Sequence, residues 1–115
     1  TRVDDKYALA DEMNRFYQHQ LAINTWGGPL NILECTPKGV NKAFALEYLL
    51  NVMNRDKKDL IAFGDEHNDR EMLAFAGKGY AMKNANPALL PYADEQISLT
   101  NDQDGVAKTL RALFL

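Results

Sequence analysis

Cysteine is almost absent from this chain: Cys35 is the only one in 115 residues. A single thiol forms no internal disulfide, so the fold must rest on packing and hydrogen bonds, and a reducing cytoplasm fits. Long apolar runs are missing too. No stretch reaches the roughly 18 apolar residues of a membrane helix, and no basic-then-apolar leader opens the chain. Neither a membrane span nor a signal peptide is therefore expected. Positive charge is nowhere concentrated. The net charge is −3, which argues against a nucleic-acid partner, because such partners are held through their phosphates. What remains is the balance of a soluble globular protein, 46% apolar and 25% charged. The length suits one modest domain or part of a larger one. The chain opens on Thr1 rather than methionine, so a processed or truncated start is expected.

Periodicity divides the chain into two styles. After Asp4 and Asp5 a helical pattern carrying Tyr7, Met13, Phe16 and Tyr17 runs to about Gln20. Leu21–Trp26 reads as a strand, Gly27-Gly28-Pro29 as a turn, and Leu30–Cys35 as a hairpin partner. Thr36-Pro37-Lys38-Gly39 breaks the pattern. Helix and strand then alternate. Asn41–Met53 reads as a helix with Ala43, Leu46, Leu49, Leu50 and Met53 on one face. Leu60–Phe63 reads as a buried parallel strand, and Asn68–Ala76 as a helix ended by Gly77. Gly79–Met82 is a second strand, Pro87 opens a short helix reaching about Ala93, and Gln96–Leu99 is a last strand. A helix from Asp104 carries Val106, Leu110 and Leu113 on its face. This alternation with short links is the doubly wound α/β pattern, built on a parallel sheet.

The chemistry concentrates in Ile61-Ala62-Phe63-Gly64-Asp65-Glu66-His67-Asn68-Asp69. An apolar strand ends in Gly-Asp, and Asn-Asp follows where a helix begins. Carboxyl ends of strands are where open α/β sheets hold ligands. Asp65, Asn68 and Asp69 each have a plain alternative role, as turn, cap or first-turn residues. Together they give more oxygen donors than one helix start requires. Two carboxylates with room for water and phosphate oxygens suit Mg²⁺. Lys42 lies in the first turn of its helix, where the macrodipole disfavours a cation unless an anion is near. Its alternative is a snorkelling surface lysine, and Lys38 in the preceding loop competes with it. His67 reads as a solvated loop histidine, with an acid/base or metal-ligand role as the rival reading. Cys35 reads as a small strand residue.

In order and spacing, several segments resemble the haloacid dehalogenase-like hydrolases, in their Cof-like branch of sugar-phosphate phosphatases. They are Leu33-Glu34, Thr36 to Lys42, Ile61 to Asp69, Met72-Leu73, Gly79 to Ala85, and Asn101 with Asp104 to Ala107. The resemblance covers about two thirds of the chain closely, and residues 1–32 loosely. It implies that 1–36 are the end of an α/β cap domain, and that 37–115 are the C-terminal part of a doubly wound, Rossmann-like core. It also implies roles. Asp65 matches the metal-binding aspartate of the fourth motif and Asp69 the second acid supporting the metal. Asn68 matches a phosphate-contacting residue and Lys42 the phosphate-binding lysine, here after Asn41 where the family has Ser or Thr.

The family's nucleophile is an aspartate in an Asp-x-Asp motif that precedes the cap. Here that spacing occurs at Asp102 and Asp104, which match the C-terminal motif instead. The resemblance therefore implies the back part of a Mg²⁺-dependent phosphatase acting on a small phosphorylated metabolite. The part bearing the nucleophile would be a missing N-terminal half, with which the chain should pair unless it self-associates. A non-catalytic phosphate-binding module and a structural α/β fragment are the alternatives.

Overall fold

The computed structural model describes residues 5–26 and 28–115. The chain divides into two compact units, Thr1–Asn41 and Lys42–Leu115.

In the first unit Asp5 caps helix α1 (Lys6–Phe16), its carboxylate accepting the N–H groups of Tyr7 and Ala8, each at 3.0 Å. The helix stops short of Gln20. Tyr17 donates back to Met13, and a turn then leads into strand β1 (Leu21–Thr25). Asn14 joins helix to strand by bonding both the carbonyl and the N–H of Ile23, at 2.7 and 2.8 Å. Strand β2 (Leu33–Pro37) pairs antiparallel with β1, Leu21 facing Pro37 and Thr25 facing Leu33. The hairpin is as expected, but β2 begins three residues later than Leu30. The reason is Lys6. Its buried ammonium donates to the carbonyls of Trp26, Gly28 and Leu30 at 2.8, 2.9 and 2.9 Å. A buried cation requires such partners, and they commit this stretch to a loop. Gly27 of the expected turn lies outside the described residues.

The second unit begins with helix α2 (Lys42–Val52) and holds a parallel sheet in the order β3-β4-β5. Strand β3 is Ile61–Gly64, β4 is Lys78–Ala81 and β5 is Glu95–Gln96. Ile61 faces Lys78, and Tyr80 faces Glu95. Helix α3 (Arg70–Phe75) crosses from β3 to β4, and a 3₁₀ turn (Pro87–Tyr92) crosses from β4 to β5. This is the doubly wound alternation read from the sequence. The last strand is shorter than Gln96–Leu99. Gln96 turns its amide onto the carbonyls of Met82 and Lys83, and beyond it the regular ladder gives way to separate bonds, Ile97 N–H to the Ala81 carbonyl at 2.9 Å and Lys83 N–H to the Leu99 carbonyl at 3.2 Å.

Successive strand residues face opposite sides of a sheet, and two cores result. Ala62, Leu73 and Leu89 form one, with Met72, Ala76, Ala85 and Ala93 packed on it. Tyr80, Met82 and Ile97 form the other, with Ile61 and Phe63 beside them. Phe63 stacks on Tyr80 at 5.2 Å between ring centres.

Gly77 follows α3 for a different reason from the one expected. It does not take the left-handed conformation of a helix cap. A Cβ there would lie 2.4 Å from the carbonyl oxygen of Lys58, so only glycine lets the two backbones approach.

Two helices leave apolar faces open. In α2 no residue is buried: Ala43, Leu46 and Leu50 are half-buried, while Leu49 and Met53 of the expected face are exposed, as are Tyr48 and Val52. In α4 (Gly105–Phe114) Val106, Leu110 and Leu113 are exposed as well. Strand β3 is an edge, with β4 as its one neighbour among the described residues. Beside it runs an apolar groove of about 330 Å³, lined in part by Leu46, Leu49, Met53 and Ile61. No described helix is long and apolar enough to cross a membrane.

Candidate functional site

At the carboxyl end of β3 the chain turns through Asp65 and Glu66 into a single 3₁₀ turn, His67–Asp69, which runs directly into α3. Asp69 organises this bend. One carboxylate oxygen accepts the N–H groups of Asp65 at 3.0 Å and Glu66 at 3.3 Å. The other receives the ammonium of Lys42. The Asp69 side chain is only 6% exposed, so a charge there demands such partners. Burial by itself pushes the Asp69 carboxyl up. The Lys42 ammonium and the two N–H groups more than offset this, and the net direction is down.

Gly64 makes the tuck possible. A Cβ on it would meet the Asp69 Cβ at 2.7 Å. Thus the glycine before the first aspartate is required by the second, four residues on.

Asp65 is exposed, and its carboxylate has no partner among the described residues. The plain alternative of a capping aspartate does not hold, because Glu66 caps the 3₁₀ turn. Asn68 is exposed on that turn. Lys42 is no free surface lysine: it starts α2 and reaches Asp69 across 27 residues of sequence. Lys38, its competitor, instead donates to the carbonyl of Gln18. His67 is not a solvated loop residue. Its Nδ1 lies 3.3 Å from Glu66 Oε2, and its Nε2 is buried without a partner among the described residues.

Two residues were missed. Glu66 accepts the His67 N–H at 3.3 Å and the Asn86 amide at 3.3 Å. Asn86 also donates its backbone N–H to the Asp65 carbonyl at 2.7 Å. The available signal was Asn-Pro at 86–87, a cap followed by Pro at the first helical position, which gives the helix start but not the long-range bonds. Burial pushes the Glu66 carboxyl up, but hydrogen bonds from Asn86 and His67 outweigh it and leave the carboxyl below its ordinary value.

Mg²⁺ takes six oxygens in a tight octahedron and keeps several waters. Asp65 offers one unengaged carboxylate. Both oxygens of Asp69 already hold protein donors. Among the described residues no group of three or more His, Cys, Asp or Glu could hold a metal ion. The donors present therefore fit part of an Mg²⁺ shell, in which Asp65 has the carboxylate free to take part.

The chain matches known proteins. A family model for haloacid dehalogenase-like hydrolases covers residues 2–110. The chain belongs to that family. Over 111 residues it is 34% identical to 5-amino-6-(5-phospho-D-ribitylamino)uracil phosphatase YitU of Bacillus subtilis, which covers 96% of this chain and 41% of that protein. Over 61 residues it is 51% identical to an HMP-PP phosphatase of Cronobacter sakazakii, covering 53% and 22% respectively. A haloacid dehalogenase-like hydrolase of Bacteroides thetaiotaomicron superposes with a TM-score of 0.75 at 34% identity, over 97% of this chain and 42% of that one. A HAD/COF-like hydrolase of Plasmodium vivax, at 23% identity and a TM-score of 0.88, shares the fold over 98% of this chain and 40% of its own. The chain thus spans about two fifths of the length of the relative and the structures it matches over nearly its whole extent.

A pH dependence follows from Asp69. Its folded pKa lies below the unfolded value of about 3.9. Below that unfolded value the unfolded state binds the proton more readily, so stability rises with pH through the window and is fully present above it. Chemical unfolding at pH 7 and at pH 3 should show the loss on acidification. Asp69→Asn should be less stable at pH 7 and lose less between the two pH values; an unchanged acid loss would remove Asp69 from the account.

Proposed function

We propose that this chain supplies the metal- and phosphate-positioning part of a Mg²⁺-dependent phosphatase acting on small phosphorylated metabolites such as sugar phosphates. The observation that carries the proposal is the Asp69 bridge. It holds Lys42 and the turn after β3 together, and leaves the Asp65 carboxylate unengaged at the strand's end. Two relatives named as phosphatases of small phosphorylated compounds support the substrate class.

In this reading residues 1–36 close an α/β cap, and 37–115 form the C-terminal part of the core. Asp65 is the direct metal carboxylate, with Asp69 supporting it through the backbone. Lys42 and Asn68 face the phosphate. When bound, Mg²⁺ offsets negative charge on the phosphate oxygens. Lys42 adds a fixed positive charge beside them, and costs no reorganisation because Asp69 already holds it. The nucleophile is an aspartate outside these residues, and the reaction runs through an aspartyl phosphate. Alone, the chain is inactive.

The open edge of β3 and the groove beside it support a partner there. The proposed occupant is the N-terminal half bearing the nucleophile, or a second copy in its absence. The proposed location is a reducing cytoplasm, which the single free cysteine of these residues supports.

Lys42→Ala tests the phosphate reading. Sulfate binding, followed by NMR shifts, should weaken about tenfold on loss of one such charge, with some loss of stability because the buried Asp69 carboxylate keeps only its two N–H donors. Normal anion binding in a destabilised variant would make the lysine structural.

A further inference from the structure

We infer that Asn86 is a positioning residue of this site: from the far side of the turn, it fixes the direction in which the Asp65 carboxylate points. The inference rests on Asp65 as the metal carboxylate. With no partner among the described residues for its side chain, Asp65 can be aimed only by its backbone. Two peptide planes flank its Cα. The plane before it is held by its own N–H, bonded to Asp69 at 3.0 Å. The plane after it is held at both ends: the Glu66 N–H goes to Asp69 at 3.3 Å, and the Asp65 carbonyl accepts the Asn86 N–H at 2.7 Å. Without Asn86 that second plane is held by one long bond.

Asn86 is itself anchored. Its side-chain oxygen accepts the Ala88 N–H at 3.0 Å, capping the 3₁₀ turn whose Leu89 is fully buried. Its amide nitrogen donates to Glu66 Oε2 at 3.3 Å. The same oxygen takes the His67 N–H, with His67 Nδ1 beside it. A path of packed and hydrogen-bonded groups thus runs from the core at Leu89, through Asn86, to the peptide that aims Asp65. Groups behind a metal ligand commonly set its direction in this way.

Asn86→Asp isolates the contact. It keeps the cap oxygen and the backbone N–H, but sets a carboxylate against that of Glu66. Adding Glu66→Gln restores a donor–acceptor pair with its direction reversed. Two readouts are needed on the full chain: amide exchange at Asp65 and Glu66, and binding of Mn²⁺ alone followed by water-proton relaxation. N86D should speed exchange at both amides and weaken Mn²⁺ about tenfold. The double variant N86D/E66Q should recover most of both. Unchanged exchange in N86D would overturn the inference, and so would faster exchange with unchanged Mn²⁺ affinity. Should the parent chain bind no Mn²⁺, the metal role of Asp65 fails, and exchange with its rescue still decides whether Asn86 holds the turn.

Discussion

In the full-length protein, Asp65→Asn is expected to cut phosphatase turnover by about 10²–10³-fold or more, while the unfolding free energy stays within about 0.5 kcal/mol. The separation follows from geometry. Asp65 is exposed, and among the described residues its carboxylate holds nothing. Removing its charge breaks no packing, yet takes away the one unengaged carboxylate at the end of β3. Asp69→Asn should behave differently and lower both stability and turnover, since its carboxylate is buried and carries Lys42 and two N–H groups. Paired measurements of unfolding and turnover distinguish the two aspartates. Equal losses of stability in both would contradict the roles assigned here.

Leu73→Ala is expected to destabilise the second unit by about 3 kcal/mol. Leu73 is 1% exposed and packs with Ala62 and Leu89. The cavity left behind cannot collapse easily, because the Leu73 main chain lies against Gly79, where a Cβ would come within 2.6 Å of the Leu73 carbonyl oxygen. A domain of this size is stable by only about 5–10 kcal/mol, so the loss is a large share of the total. It reaches the site as well. Leu73 lies one helical turn beyond Asp69, and a loosened α3 loosens the aspartate that holds the bend. Urea unfolding with amide exchange at Asp65 and Glu66 checks both effects; a loss under about 1 kcal/mol would mean that this core is not what supports the bend.

Local chemistry was legible in the sequence where it repeats in a fixed pattern. The strand ending in Gly64-Asp65 and the acid four residues on marked the candidate site, because sheet ends and helix starts both announce themselves. The pairing of Lys42 with Asp69 was half legible: the helix start made Lys42 odd, but only the fold supplied the anion. Asn86 was invisible as part of the site. Its partners lie some 20 residues away, and an Asn before Pro is fully accounted for as a cap. The same limit moved β2, since nothing near Leu30 shows that Lys6 takes its carbonyl. Gly77 misled for the opposite reason. A helix-ending glycine is so common a device that the close approach of Lys58 had no separate signal.

The apolar faces left open on α2 and α4, and the open edge of β3, bear on the proposed function. Exposed Tyr48, Val52 and Leu113 are costly on an isolated domain and ordinary at an interface. The measurement that tests the central claim most directly is hydrolysis of p-nitrophenyl phosphate with Mg²⁺, by the chain alone and after addition of the N-terminal half carrying the nucleophile. No turnover from the chain alone, and turnover on mixing that Asp65→Ala removes, is the predicted result. Turnover by the chain alone that Asp65→Ala abolishes would contradict it, because the chemistry would then reside within these 115 residues.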